Sequence, residues 1–226
     1  MRQFRSMLLA WWDSGGSRRF SWRMQQNRIY YATLIAELML RRTRAEQVDA
    51  VFALFIAEHS TLAEALAADP EEIRVRLAPL GLRWRTENLL DLFKDLRERG
   101  VTELPHSKHQ LIGLPGVGDY VSNAVICFAG GDPTATLVDT NVARVLGRVF
   151  GVSARGEARR HKGIRELASI AIDRSRISDY HYAILDFAAA VCAARTPQCH
   201  ACQFAERQEC DYYFALQKSM LGSEPL

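Results

Sequence analysis

Apolar positions recur every three or four residues along almost the whole chain, the period of an α-helix that buries one face. Val48, Val51, Phe52, Phe55 and Ile56 fall on one side of such a helix. Leu89, Leu92, Phe93 and Leu96 mark another, and Gly100 is placed to end it, because glycine takes the left-handed conformation of a helix end without a Cβ penalty. Val142, Val145, Leu146 and Val149 mark a third, and stretches from about Glu157 to Ile172 and from Tyr180 to Ala193 continue the pattern. Start signals agree with it. Asp69-Pro70-Glu71-Glu72 reads as an N-cap, a proline at the first helical position and acidic first-turn residues. No segment alternates as a strand would, and there is no repeat or low-complexity linker. The pattern predicts an all-α protein of about ten helices.

Composition narrows the setting. Apolar residues are 48% of 226, enough to core one compact domain or two small, intimate lobes. No apolar run reaches the ~18 residues of a membrane span, so no membrane partner is expected. Met1 to Trp12, basic and then apolar, stops at Asp13 without a small-residue cleavage site, so it is not read as a signal peptide. The expected setting is a reducing cytoplasm, where five cysteines do not pair as disulfides. A net charge of +3 and a pI near 8.7 permit nucleic-acid binding without arguing for it. Arg41, Arg42 and Arg44, and Arg83 with Arg85, are two candidate basic patches.

Three motifs carry candidate chemistry. Leu114-Pro115-Gly116-Val117-Gly118 lies between two helical stretches, and glycines on either side of Val117 suit a tight turn with positive φ. A helix starting near Asp119 would then offer free N–H groups and a positive dipole end to a DNA phosphate. Further on, Gly130-Gly131-Asp132-Pro133 breaks the helical pattern before Leu137-Val138-Asp139-Thr140-Asn141. Asp139 is placed to N-cap the next helix. A carboxylate there also suits a glycosidic cleavage through an oxocarbenium-like sugar, and the two roles are compatible. Finally, Cys192, Cys199, Cys202 and Cys210 follow a C-x6-C-x2-C-x7-C spacing, close enough to surround one metal centre. Only Cys199 and Cys202 form the two-residue knuckle that zinc sites usually carry twice, which favours iron–sulfur. Cys127 stands apart on an apolar helix and reads as core.

In this order, hairpin, Gly/Pro loop with Asp139, and four cysteines resemble the endonuclease III superfamily of DNA glycosylases, over roughly Ser21 to Tyr213. The resemblance implies a two-lobed helical fold. Residues 27–132 would form a six-helix barrel lobe with the helix-hairpin-helix, and residues 1–26 and 133–226 a lobe holding a [4Fe-4S] cluster. A flipped base would meet the cleft between them. Asp139 would be the catalytic carboxylate, and Cys192, Cys199, Cys202 and Cys210 the cluster ligands. Leu114, Gly116, Val117 and Gly118 would contact double-stranded DNA. The last cysteine gap, seven residues where the family usually has five, lengthens that loop before Cys210. The implied protein is a monomer working on the nucleoid in the cytoplasm.

Bifunctional members carry a lysine two residues past the hairpin, and this chain has Tyr120. A phenol forms no Schiff base, so a monofunctional glycosylase without AP-lyase activity is expected. A tyrosine here resembles the thymine glycosylases that act on G·T mismatches. Ile35 to Thr43 resembles a stretch shared by adenine and thymine mismatch glycosylases, in which Glu37 matches the acid that protonates adenine. By helical spacing alone, Thr33, Glu37 and Arg41 would form a solvated stripe. Arg41 and Arg42 stand where adenine enzymes usually have paired glutamines. One of them is expected to enter the gap left by the flipped base and donate to the orphan guanine. Leu82 is the expected apolar wedge. The target is therefore thymine or uracil opposite guanine. The alternatives are adenine opposite guanine or oxidised guanine, disfavoured because the chain ends 16 residues after Cys210, and a non-catalytic DNA-binding module, disfavoured because it needs neither Asp139 nor Glu37.

Overall fold

A computed structural model describes residues 1–152 and 157–221. Among them every regular element is helical, and thirteen segments are α-helical. By internal contacts the chain divides into two units, Met1–Arg18 with Thr136–Leu226, and Arg19–Ala135. No described helix is long and apolar enough to cross a membrane.

The chain opens with α1 (Arg2–Trp11) of the first unit. The second unit then follows as α2 (Tyr30–Met39), α3 (Ala45–Glu58), α4 (Leu62–Ala67), α5 (Pro70–Leu77), α6 (Arg83–Glu98), α7 (Lys108–Ile112) and α8 (Asp119–Phe128). Helix α2 is apolar apart from Thr33 and Glu37 in its buried stretch, which runs from Tyr31 to Met39, and packs against α3, α6 and α8. The predicted faces of α3 and α6 are the buried ones, with Val48, Phe52, Phe55, Leu89, Leu92, Phe93 and Leu96 enclosed. Side chains set the helix starts. Thr61 and Glu64 form a capping box on α4, and Asp69 accepts from the Glu71 amide at 2.7 Å. Gly100, at φ +63°, ends α6 as expected, and the Val101 amide returns to the Leu96 carbonyl at 2.9 Å.

The first unit resumes with α9 (Thr140–Val149), α10 (Lys162–Ala171), α11 (Ile177–Ala190), α12 (Gln203–Glu206) and α13 (Asp211–Leu221). Helix α11 packs on α1 and α9. It begins three residues before the expected Tyr180, where Asp173 accepts from the amides of Ser175 (3.0 Å) and Arg176 (3.2 Å) and turns the chain into it. The stretch expected to be helical from Glu157 instead holds a 3-10 turn at Ala158–Arg160 ahead of α10. Phe204 of α12 is fully buried, stacked on Phe4 of α1 at 5.2 Å and edge-on to Phe187 of α11 at 5.3 Å.

Candidate nucleic-acid interface and catalytic carboxylate

The hairpin joins α7 to α8 through two tight turns, with Leu114 N–H donating to Leu111 O at 3.0 Å and Val117 N–H to Leu114 O at 3.1 Å. Gly116 sits at φ +74°, a conformation that costs a residue with a Cβ about 1–2 kcal/mol. Gly118 differs from expectation. It is extended, at φ −100° and ψ −177°, so the turn itself does not require glycine there. A Cβ at Gly118 would meet nothing within 4 Å; what its absence provides is bare backbone at the start of α8. Leu114 and Val117 are both buried at 6% exposure, so a DNA contact from these two is confined to their backbone. Lys108 Nζ pairs with Asp119 Oδ1 at 2.6 Å, tying α7 to α8.

Glu37 does not lie on a solvated stripe. It and Thr33 are 8% and 5% exposed, since α3, α6 and α8 enclose α2. On α8, which packs on α2, burial pushes the Cys127 thiol up, and the Glu37 carboxylate pushes it further. Just past α2, Arg41 donates to the Gly116 carbonyl at 3.3 Å and lies over the Trp84 ring at 5.1 Å. Arg42, exposed, has φ +58°. Leu82, 39% exposed, has φ +55°. Of the second expected basic patch only Arg83 is at the surface. Arg85 is 4% exposed, its guanidinium turned onto backbone carbonyls of its own unit.

Asp139, in the first unit, is the N-cap of α9. One carboxylate oxygen accepts from the Asn141 and Val142 amides, each at 2.8 Å. The other accepts from Asn141 Nδ2 at 2.7 Å. Three N–H donors thus fix the carboxylate's orientation. The Asn141 side-chain oxygen in turn accepts from Arg144 Nη2 at 3.1 Å. Arg144 reaches on to the carbonyls of Ala188 (3.0 Å) and Cys192 (2.9 Å). One turn later Arg148 meets Cys192 Sγ at 3.5 Å and the Ala193 carbonyl at 2.7 Å, with its guanidinium over the Tyr212 ring at 4.6 Å. Sequence reasoning missed these two arginines. Their spacing of four on the helix that Asp139 caps was the available signal.

Cys192 and Cys210 are buried, while Cys199 and Cys202 are half-buried. Burial raises the thiols of Cys202 and Cys210. The nearby charges of Cys192 and Cys199 add to it at Cys202, and those of Cys202 and Cys192 at Cys210. Cys210 Sγ donates to the carbonyl of the same Arg148 at 3.6 Å, and among the described residues no group of three or more His, Cys, Asp or Glu side chains that could hold a metal ion is formed. Cys127 is buried in α8, in the other unit, as expected of core.

No family model matches the chain. A thymine/uracil-DNA glycosylase of Methanothermobacter thermautotrophicus is 33% identical over 211 residues, 93% of each chain. The solved structure of a thermostable thymine-DNA glycosylase superposes with a TM-score of 0.82 at 32% identity, over 95% of this chain and 96% of that one. The chain belongs to the endonuclease III superfamily of helix-hairpin-helix DNA glycosylases. An adenine DNA glycosylase of Homo sapiens is 31% identical over 88% of this glycosylase, which spans only 38% of that relative.

Proposed function

We propose that this protein removes thymine or uracil lying opposite guanine in duplex DNA, by hydrolysing the N-glycosidic bond without cutting the strand. The observation that carries the target base is the end-to-end likeness to a thymine/uracil-DNA glycosylase, 33% identity over 93% of both chains. The hairpin amides at the start of α8 hold a phosphate, a contact that carries no base information and suits scanning. The base is flipped from the stack. Arg41 or Arg42 donates to the acceptors of the orphan guanine, and Leu82 fills the gap as a wedge.

Asp139 then stabilises the positive charge that develops on the sugar and orients the attacking water. Its carboxylate is already aligned by three N–H donors, so no reorganisation is needed as charge develops. Tyr120, half-buried in the first turn of α8, offers a ring face to the flipped pyrimidine and no amine to the sugar. Lys108, near it in sequence, is engaged with Asp119. Glu37 contacts the base or holds a water beside it. Cys192, Cys199, Cys202 and Cys210 would hold a [4Fe-4S] cluster: an all-thiolate donor set suits iron–sulfur, and the Arg148 N–H at Cys192 Sγ is the sort of donor that tunes a cluster's sulfur. Such a cluster would cross-link the segment in which these cysteines lie.

The test uses duplexes carrying a single G·T, G·U, A·U or G·A pair, with and without borohydride. Thymine and uracil opposite guanine should be released, with strand breaks only after hot alkali and no trapped complex. Tyr120→Lys should then gain a trappable complex. Adenine release from G·A in preference overturns the target base, and a trapped wild-type complex overturns hydrolysis without lyase.

A further inference from the structure

Arg85 carries a charge into the interior of its unit, 4% exposed, where an ion without strong partners costs several kcal/mol. Its acceptors are all neutral oxygens. Nη1 donates to the carbonyls of Met39 (2.7 Å) and Arg41 (2.9 Å) and to Thr43 Oγ1. Nη2 donates to the carbonyls of Leu80 (2.9 Å) and Gly81 (3.0 Å). The first set closes the C-terminal end of α2, where carbonyl dipoles favour a cation. The second closes the 3-10 turn Ala78–Leu80. Two of these carbonyls stand in a particular relation to strain. Arg41 O belongs to the peptide that enters Arg42, at φ +58°, and Gly81 O to the peptide that enters Leu82, at φ +55°. Left-handed residues with side chains persist only where their surroundings over-determine them. Here one guanidinium holds the peptide in front of each.

We propose that Arg85 is a positioning residue for mismatch recognition, a clamp that fixes the Arg41–Arg42 segment and the Leu82 loop together. The two strained loops present the groups assigned above to the orphan guanine and the wedge, so the inference rests on that reading. Rigid mutual placement is what a two-sided insertion needs, since a displacement of about 1 Å in such a constellation costs much of its effect. Lysine keeps the charge at position 85 but has a point-like ammonium with no planar fork, so it cannot span both loops.

The experiment compares Arg85→Lys and Thr43→Val with wild type, Arg41→Ala and Leu82→Ala. The readouts are single-turnover excision of uracil from G·U and A·U duplexes and the melting temperature. A residue that only supports the fold would lower both rates together and leave their ratio alone. Arg85→Lys is expected to reduce the G·U to A·U ratio at least tenfold while remaining folded. Thr43→Val, which removes one acceptor and leaves the other four, reduces it by a smaller factor in the same direction. If both variants keep the ratio within twofold of wild type while Arg41→Ala or Leu82→Ala loses it, the loops read DNA and the clamp is wrong. If Arg41→Ala and Leu82→Ala also keep it, the reading of the loops is wrong and the clamp falls with it.

Discussion

Asp139 accepts from three N–H groups, and they do not treat its two oxygens alike. Two backbone amides share Oδ1, a demand that an asparagine oxygen meets equally well. Oδ2 faces the Asn141 side-chain amide, whose own oxygen is held by Arg144. In Asp139→Asn the new NH2 confronts the NH2 of Asn141, and Asn141 cannot turn over without opposing its nitrogen to Arg144. The substitution is therefore expected to cost about 1 kcal/mol of stability, one side-chain hydrogen bond, seen as a melting temperature a few degrees lower. Excision should fall by roughly 100-fold or more, since a neutral amide does not offset charge on the sugar. An Asp139→Asn protein that excises uracil at the wild-type rate would leave Asp139 as a cap alone. The capping role was legible because Asp followed by a helical period is a local signal. Asn141 and Arg144, which decide what the substitution costs, were not, because side-chain chains of this kind depend on rotamers that sequence spacing does not specify.

Among the elements, legibility followed length and amphipathic contrast. Helices α3, α6 and α9 are ten residues or longer and bury the faces that their spacing marked. Helices α4, α7 and α12, of six, five and four residues, are too short to show a period and are made by caps and neighbours instead. Arg85 was read as surface because arginine on a polar stretch usually is; its burial depends on two loops meeting, a non-local event. The hairpin shows the same limit within five residues. Both glycines were visible, yet only Gly116 has positive φ, whereas Gly118 is extended. The two substitutions should therefore separate. Gly116→Ala should lower the melting temperature through a strain of about 1–2 kcal/mol. Gly118→Ala should leave it nearly unchanged, because its Cβ meets nothing within 4 Å, but weaken duplex binding roughly tenfold by standing where a phosphate approaches, the loss of one charge-assisted hydrogen bond of about 1.5 kcal/mol. Fluorescence anisotropy at low salt, beside a thermal melt, checks both. Equal affinity for Gly118→Ala and wild type would remove the hairpin from the DNA contact.

At the scale of the whole molecule, the two units differ in what holds them. Arg19–Ala135 is a helical core around α2, enclosed on its own terms. The cysteine segment of the other unit is sparse by comparison: a 3-10 turn at Cys199–Ala201, the four-residue α12, Phe204 set among aromatic rings, and Gln203 donating to the Met7 carbonyl at 2.8 Å. Two arginines of α9 secure its start, and from Gln198 to Glu209 its backbone bonds are short turns rather than a long helical ladder. A chain this irregular commonly draws its order from a bound centre, whose binding free energy becomes folding free energy. The purified protein is therefore expected to be yellow-brown, with about four irons and matching sulfide per chain. Oxidative removal of the iron should open the segment after Val191 to limited proteolysis while fragments spanning Arg19–Ala135 stay protected. Stoichiometric zinc without sulfide would replace the cluster by another metal. Metal-free protein with an unchanged cleavage pattern would show that the aromatic packing of Phe204 alone suffices.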